Sequence, residues 1–309
     1  MKKYSTLTTL FCFTLTLAIV SCTHKKKDNG KTSDQDSAQV ENVALTGNPD
    51  TLTFETIKIE KKSYIANNPK NPGCTYDLDL VYPSGYTDPE TLQGIQKLFL
   101  ESVFGSKYAD LTPNEAAAQN MKDYIDNYQS EMTEYIKSMT KEDKEAQGAD
   151  AWMNYASYDS TATTYNKNKI YSFNVYTYSY TGGAHGIYGT AAYIIDIENQ
   201  KRIDFADIFT TQDTARLKVM LKEQLATDQN VKNEQALKQL GFWTDNITPD
   251  DNFFVTGKGI TWIFNPYDIA PYSMGSTEIT LSFDKLKPMI KKQSPILRII
   301  NPDTDANHR

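Results

Sequence analysis

From Ile170 to Ser179 the sequence alternates with a period of two. Tyr171, Phe173, Val175, Thr177 and Ser179 fall on one side, and Ile170, Ser172, Asn174, Tyr176 and Tyr178 on the other. Only an extended strand sends every second residue to the same side. The first side is mostly apolar and the second is mixed, and Gly182-Gly183 breaks the pattern. The chain therefore has to build a sheet around this segment. Its 20 Tyr and 13 Phe suit pleated surfaces.

The flanking sequence supplies further strands and the helices that cover them. Leu52 to Tyr64 reads as a strand, and Thr75 to Tyr82 as a second, with Tyr76, Leu78 and Leu80 on one face and Asp77, Asp79 and Val81 on the other. Thr87-Asp88-Pro89-Glu90 and Thr112-Pro113-Asn114-Glu115 each carry a helix start with an early proline. They predict one helix to Gly105 and a longer one to about Met139. Thr190 to Ile197 resumes as a strand and turns through Glu198–Lys201 towards Ile203. Helices are expected from Thr214 to about Thr227 and from about Asn233 to Leu240, the latter closed by Gly241. Asn252 to Phe264 reads as a hairpin, Glu278 to Phe283 as a last strand, and a short helix is expected to end near Lys292. The order points to α+β with mainly antiparallel sheet packed with helices, in two α+β halves. The expected division is a signal peptide over 1–21, a tether over 22–50, an N-terminal subdomain over 51–150, a C-terminal subdomain over 151–298 and a tail over 299–309.

Lys2 and Lys3 precede an apolar stretch from Leu7 to Val20 that ends Ile19-Val20-Ser21-Cys22. The stretch is shorter than the ~20 residues of a membrane span and has the length of a signal-peptide core. Its end is similar to a bacterial lipobox, which makes Cys22 the expected lipidation site and membrane attachment through that lipid an expected partner interaction. A polar tract, Thr23 to Thr46, reads as a solvated tether. The expected location is the bacterial cell envelope, with outer membrane favoured and the face open. Cys12 leaves with the signal and Cys22 takes the lipid, so Cys74 has no intramolecular partner. The net charge of −7 over 309 residues argues against a nucleic-acid partner, which demands excess Lys and Arg.

His185 is the one histidine of the expected folded part and sits in Gly182-Gly183-Ala184-His185-Gly186. Glycines allow positive φ and close backbone approach. A histidine there can bind a ligand or transfer a proton near neutral pH, or it can simply hydrogen-bond to the loop and hold the turn. Zinc requires three or four His, Cys or carboxylate ligands, so no metal is expected, and no cofactor fingerprint is present. Asp77 and Asp79 share a strand face and could serve glycoside hydrolysis, although alternating charge on a solvated face is by far the commoner reason for such a pair. Asn265-Pro266-Tyr267-Asp268-Ile269-Ala270-Pro271-Tyr272 is a proline-punctuated loop. Tyr267 and Ile269 are expected in the core there, and Pro271 and Tyr272 at the surface.

Two stretches, Tyr180 to Phe209 and Phe253 to Leu286, together resemble the extracytoplasmic domain shared by RsiV-type anti-sigma factors and the region preceding the deacetylase domain of PdaC-type peptidoglycan enzymes. In RsiV-type proteins this region binds lysozyme. The sequence has neither a cytoplasmic anti-sigma segment nor a deacetylase region, so the resemblance implies a binding module near the cell wall without carrying over signalling or deacetylation. The expected function is a non-enzymatic envelope lipoprotein that binds a cell-wall glycan (peptidoglycan) or a wall-acting protein such as lysozyme. The loop Gly182–Tyr188 and the loop Asn265–Gly275 would form the site, with Gly182, Gly183, His185, Tyr188, Pro271 and Tyr272 as ligand-binding residues and no catalytic residue. Two alternatives remain: an envelope polysaccharide hydrolase or transferase, and a structural lipoprotein of envelope assembly.

Overall fold

The computed structural model describes residues 51–142 and 152–302. The signal peptide, Cys22 and the tether lie outside the described residues. So do most of the charged Lys141–Asp150 segment and the end of the tail.

The first sheet has six strands in sequence order: β1 (Thr53–Tyr64), β2 (Gly73–Gly85), β3 (Tyr155–Lys167), β4 (Ile170–Thr181), β5 (Ile187–Asp196) and β6 (Lys201–Arg202). All neighbours are antiparallel except β2 and β3, which run parallel from Cys74/Tyr155 to Asp79/Ser160. A parallel neighbour needs a crossover, and helices α1 (Pro89–Phe104) and α2 (Pro113–Ser138) lie in that connection. The predicted boundary at 150/151 therefore falls between two hydrogen-bonded neighbours of one sheet. Asn168 and Lys169, both at positive φ, form the two-residue turn between β3 and β4, as a tight hairpin requires. The second sheet holds β7 (Phe253–Val255), β8 (Gly259–Phe264) and β9 (Thr277–Ser282), all antiparallel. The architecture is the expected α+β with mainly antiparallel sheet.

The helix starts are set by the predicted residues. The Asp88 carboxylate accepts from Thr91 N at 2.9 Å. Thr112 and Glu115 form a reciprocal capping box. Each such cap satisfies amide groups that the helix itself leaves without a partner. Helix α3 (Phe205–Ile208) is a single turn, α4 spans Thr214–Asp228, and α5 (Glu234–Leu240) ends on Gly241 in the left-handed conformation. Helix α6 (Phe283–Leu286) stops well short of Lys292. Pro288 follows it, and a proline has no N–H to continue a ladder. Helix α7 (Leu297–Ile300) places Ile299, the first residue of the expected tail, against the core.

The alternation in β4 divides the molecule between two cores. Tyr171, Phe173 and Val175 pack with Tyr76, Leu78 and Leu80 of β2 and with Ile95 and Phe99 of α1. Ile170 faces the other way and packs with Ile194, the second sheet and Leu217, Leu221 and Leu225 of α4. The mixed side of β4 is thus apolar only where the second sheet covers it. Beyond Asn174 that side carries Tyr176 and Tyr178.

Two side-chain devices tie the C-terminal elements to the first sheet, one beside the second sheet and one from α7. One edge of β5 pairs with β4 along its length, the other meets β6 at only two positions among the described residues, and asparagine amides take the strand's place there. Asn265 accepts from Thr190 N at 2.7 Å and donates to Thr190 O at 3.1 Å. Asn252 accepts from Ala192 N at 2.9 Å and donates to Thr190 O at 3.1 Å. The second device is Arg298, whose guanidinium lies 2.6 Å from the fully buried Asp196 carboxylate and 3.0 Å from Glu198. Asp196 also accepts from the Asn199 amide at 2.7 Å.

Candidate functional site

The open end of the first sheet is paved with tyrosine. Cross-strand register places Glu60, Asp77, Tyr158, Tyr178 and Tyr188 in one row over five strands. The adjacent row holds Lys58, Asp79, Ser160, Tyr176 and Thr190. Opposed residues of neighbouring strands point to the same side. Asp77 and Asp79 therefore share this face with the tyrosines.

The two predicted loops meet at the edge of this face. In the first, Gly182 and Gly183 have φ of 83° and 107°. A Cβ on Gly182 would lie 2.6 Å from Trp152 O, so both conformation and space demand glycine there. The loop's Gly186 backbone packs onto the Tyr178 ring. In the second loop, Asn265 is tied to β5, Asp268 accepts from Asn265 N at 2.6 Å, and Ile269 is buried. Pro271, half-buried, leads into the turn of Tyr272.

His185 and Tyr272 stack with ring centroids 4.4 Å apart and planes 29° apart. The Gly186 carbonyl accepts from Tyr272 Oη at 2.8 Å, and His185 Nδ1 lies 2.8 Å from the same oxygen. A carbonyl only accepts, so Nδ1 carries the proton and Nε2 is left to face solvent or a ligand. The rings continue in a chain: Tyr272–Tyr188 at 5.5 Å, Tyr188–Tyr176 at 6.1 Å and Tyr176–Tyr158 at 5.9 Å, with Tyr267 against Tyr272 at 5.5 Å. Burial and the neighbouring tyrosines Tyr188, Tyr272, Tyr158 and Tyr178 raise the Tyr176 hydroxyl above its usual range.

The structure thus brings His185, Tyr188 and Tyr272 together, with Gly182, Gly183 and Pro271 shaping the loops that carry them. The expectation for Tyr267 is corrected. Its φ is +75° and its side chain is 56% exposed. That backbone, with Tyr267 N bonded to Ala270 O at 3.1 Å, turns Ile269 inward and Tyr267 outward. Ile269 is in the core as expected. Tyr158, Tyr176 and Tyr178 were not among the expected site residues, although the spacing of Tyr176, Tyr178 and Tyr180 marks one strand face.

The carboxylates do not assemble a hydrolytic pair. Asp79 pairs with Lys58 at 3.2 Å. Burial and Glu60 raise the Asp77 carboxyl above its ordinary value. The most perturbed carboxyl is Asp159, pushed up to about 6 by desolvation. It lies opposite Leu78 and Thr177, on the far side of the sheet from Asp77. Cys74 is buried within β2, and desolvation pushes its thiol up to about 11, which disfavours the reactive thiolate. Among the described residues no group of three His, Cys, Asp or Glu could hold a metal, and no helix is long and apolar enough to cross a membrane.

Two family models match the chain. Residues 74–188 match the family described as deacetylase PdaC, and residues 206–284 match a family described as a protein of unknown function, DUF3298. A crystal structure of a DUF3298 family member from Bacteroides fragilis is 26% identical, covers 82% of this chain and 99% of its own, and superposes with a TM-score of 0.75. A DUF3298 family protein from Pseudomonas aeruginosa is 14% identical, covers 80% of this chain and 98% of its own, and shares the fold at a TM-score of 0.52. No curated protein matches. These findings bear out the resemblance to the PdaC-preceding region. The first loop lies at the end of the PdaC match and the second within the DUF3298 match, so the tyrosine face is assembled from both.

Proposed function

We propose that this chain is a non-enzymatic, lipid-anchored envelope protein whose folded part binds a cell-wall glycan or a wall-acting protein such as lysozyme. The observation that carries this reading is the convergence of two loops, one from each matched region, on a continuous row of partly exposed tyrosine rings. Tyrosine combines a flat apolar face with a polar tip, which suits both sugar stacking and protein recognition. Asp79 on this face is held in an ion pair with Lys58 at 3.2 Å, which supports a binding role over a hydrolytic one for that carboxylate. The lipid on Cys22 and the polar tether would hold the domain at the membrane surface and let it reach the wall, with the outer membrane as the proposed location.

Calorimetric titration of the soluble chain, from about Asn42 onward, with c-type lysozyme and with solubilised peptidoglycan fragments tests this. Saturable binding of either, weakened by His185→Ala, supports the reading. Absence of binding by both, or binding that His185→Ala leaves unchanged, overturns it.

A further inference from the structure

We propose that the occupant of this face is an extended chain of 1,4-linked pyranose sugars, laid across the strands along the tyrosine row. This deepens the binding reading and rests on it. Tyr158 stands on β3, Tyr176 on β4 and Tyr188 on β5, and the row then steps onto Tyr272 and Tyr267 of the second loop. Tyr158, Tyr176 and Tyr188 come from successive strands, with Tyr178 a second ring on β4, so this part of the row follows the strand spacing of about 4.8 Å. Its ring-to-ring steps run from 5.5 to 6.1 Å. That periodicity is close to the advance of one sugar residue in an extended 1,4-linked chain. The ring planes turn by 29° to 67° from one to the next, so the sugar chain twists as its C–H faces pass from ring to ring.

The surroundings fit a ligand that is hydroxyl-rich and uncharged. Asp77, Ser160 and Thr190 lie beside the rings and offer acceptors and hydroxyls to sugar hydroxyl groups. Lys58 neutralises Asp79, and the remaining Glu60 and Asp77 carboxylates favour a hydroxyl-bearing ligand over an anionic one. The Tyr158, Tyr176 and Tyr188 hydroxyls make no hydrogen bond to the described residues, which leaves them for a ligand. Tyr272 spends its hydroxyl on Gly186 and so fixes the ring at the point where strand and loop meet.

The experiment titrates the soluble chain with N-acetylglucosamine oligomers and cello-oligosaccharides, from dimer to hexamer, following tyrosine fluorescence. In at least one series affinity rises with length as more rings are covered. Tyr158→Ala and Tyr267→Ala, at opposite ends of the row, each weaken hexamer binding about three- to tenfold. Tyr267 is 56% exposed and Tyr158 37%, so the melting temperature stays nearly unchanged for Tyr267→Ala and is read beside the binding curve for Tyr158→Ala. Length-independent binding, or hexamer binding unaffected by both variants, overturns the assignment. If lysozyme binds in a His185-dependent manner while no oligosaccharide does, the sugar assignment fails and the binding reading stands. If nothing binds, both fail.

Discussion

Asp159 makes stability depend on pH in a direction opposite to that of most carboxylates. Its side chain points into the α2 side of the first sheet, beside Tyr76 and Tyr124, opposite Leu78 and Thr177. Desolvation there raises its folded-state pKa from 3.8 to about 6. One pKa unit corresponds to about 1.4 kcal/mol, so the charged form costs at most about 3 kcal/mol in the folded state. Partial solvent access reduces this to about 2 kcal/mol. The contribution is fully favourable below pH 4 and is lost as pH rises through 6. Asp159→Asn removes the charge and keeps the shape. Urea unfolding of both proteins from pH 4 to pH 8, followed by tryptophan fluorescence, gives the difference curve. The variant is expected to equal the wild type near pH 4 and to exceed it by about 2 kcal/mol at pH 7. A pH-independent difference, or a variant less stable at pH 7 than at pH 4 relative to wild type, would refute the desolvation argument.

Arg298→Ala strips the buried Asp196 of its cationic partner and is expected to cost about 3 kcal/mol by denaturant unfolding, whereas Glu198→Ala, on the exposed side of the same group, stays below about 1 kcal/mol. Asn265→Ala leaves the Thr190 amide without its acceptor, while the Thr190 carbonyl keeps Asn252, and lowers stability by about 1–3 kcal/mol, read by the same denaturant unfolding. Native Cys74 reacts with iodoacetamide at pH 8 far more slowly than the urea-unfolded chain, because its thiol is both buried and raised in pKa; equal rates would contradict its placement. Fragments 51–150 and 151–302 expressed apart are expected to lack cooperative unfolding, since the division separates β2 from β3.

What the sequence made legible was local. The alternation in β2 and β4, the caps at Asp88 and Thr112, and the closing Gly241 all act through neighbours within a few residues. The parallel pairing of β2 with β3 was not legible, because its partners are about eighty residues apart and neither strand carries a signal for the other. The Asn252 and Asn265 caps escaped for the same reason: an asparagine in a loop looks alike whether it faces water or stands in for a strand. Tyr267 was misplaced because proline-flanked apolar residues suggest burial, while the turn's left-handed backbone decided which of Tyr267 and Ile269 points inward. His185 and Tyr272 were expected in one site formed by two loops. Their stacking, and the tyrosine row behind them, required the cross-strand register to be known.

The most direct test of the central claim uses Tyr267, an exposed ring with no buried hydrogen bond to lose. Calorimetric titration of the soluble chain with solubilised wall fragments, for wild type and Tyr267→Ala, should show saturable binding that the substitution weakens about three- to tenfold with the melting temperature unchanged. Failure of the wild type to bind, or identical binding by both proteins, would contradict it.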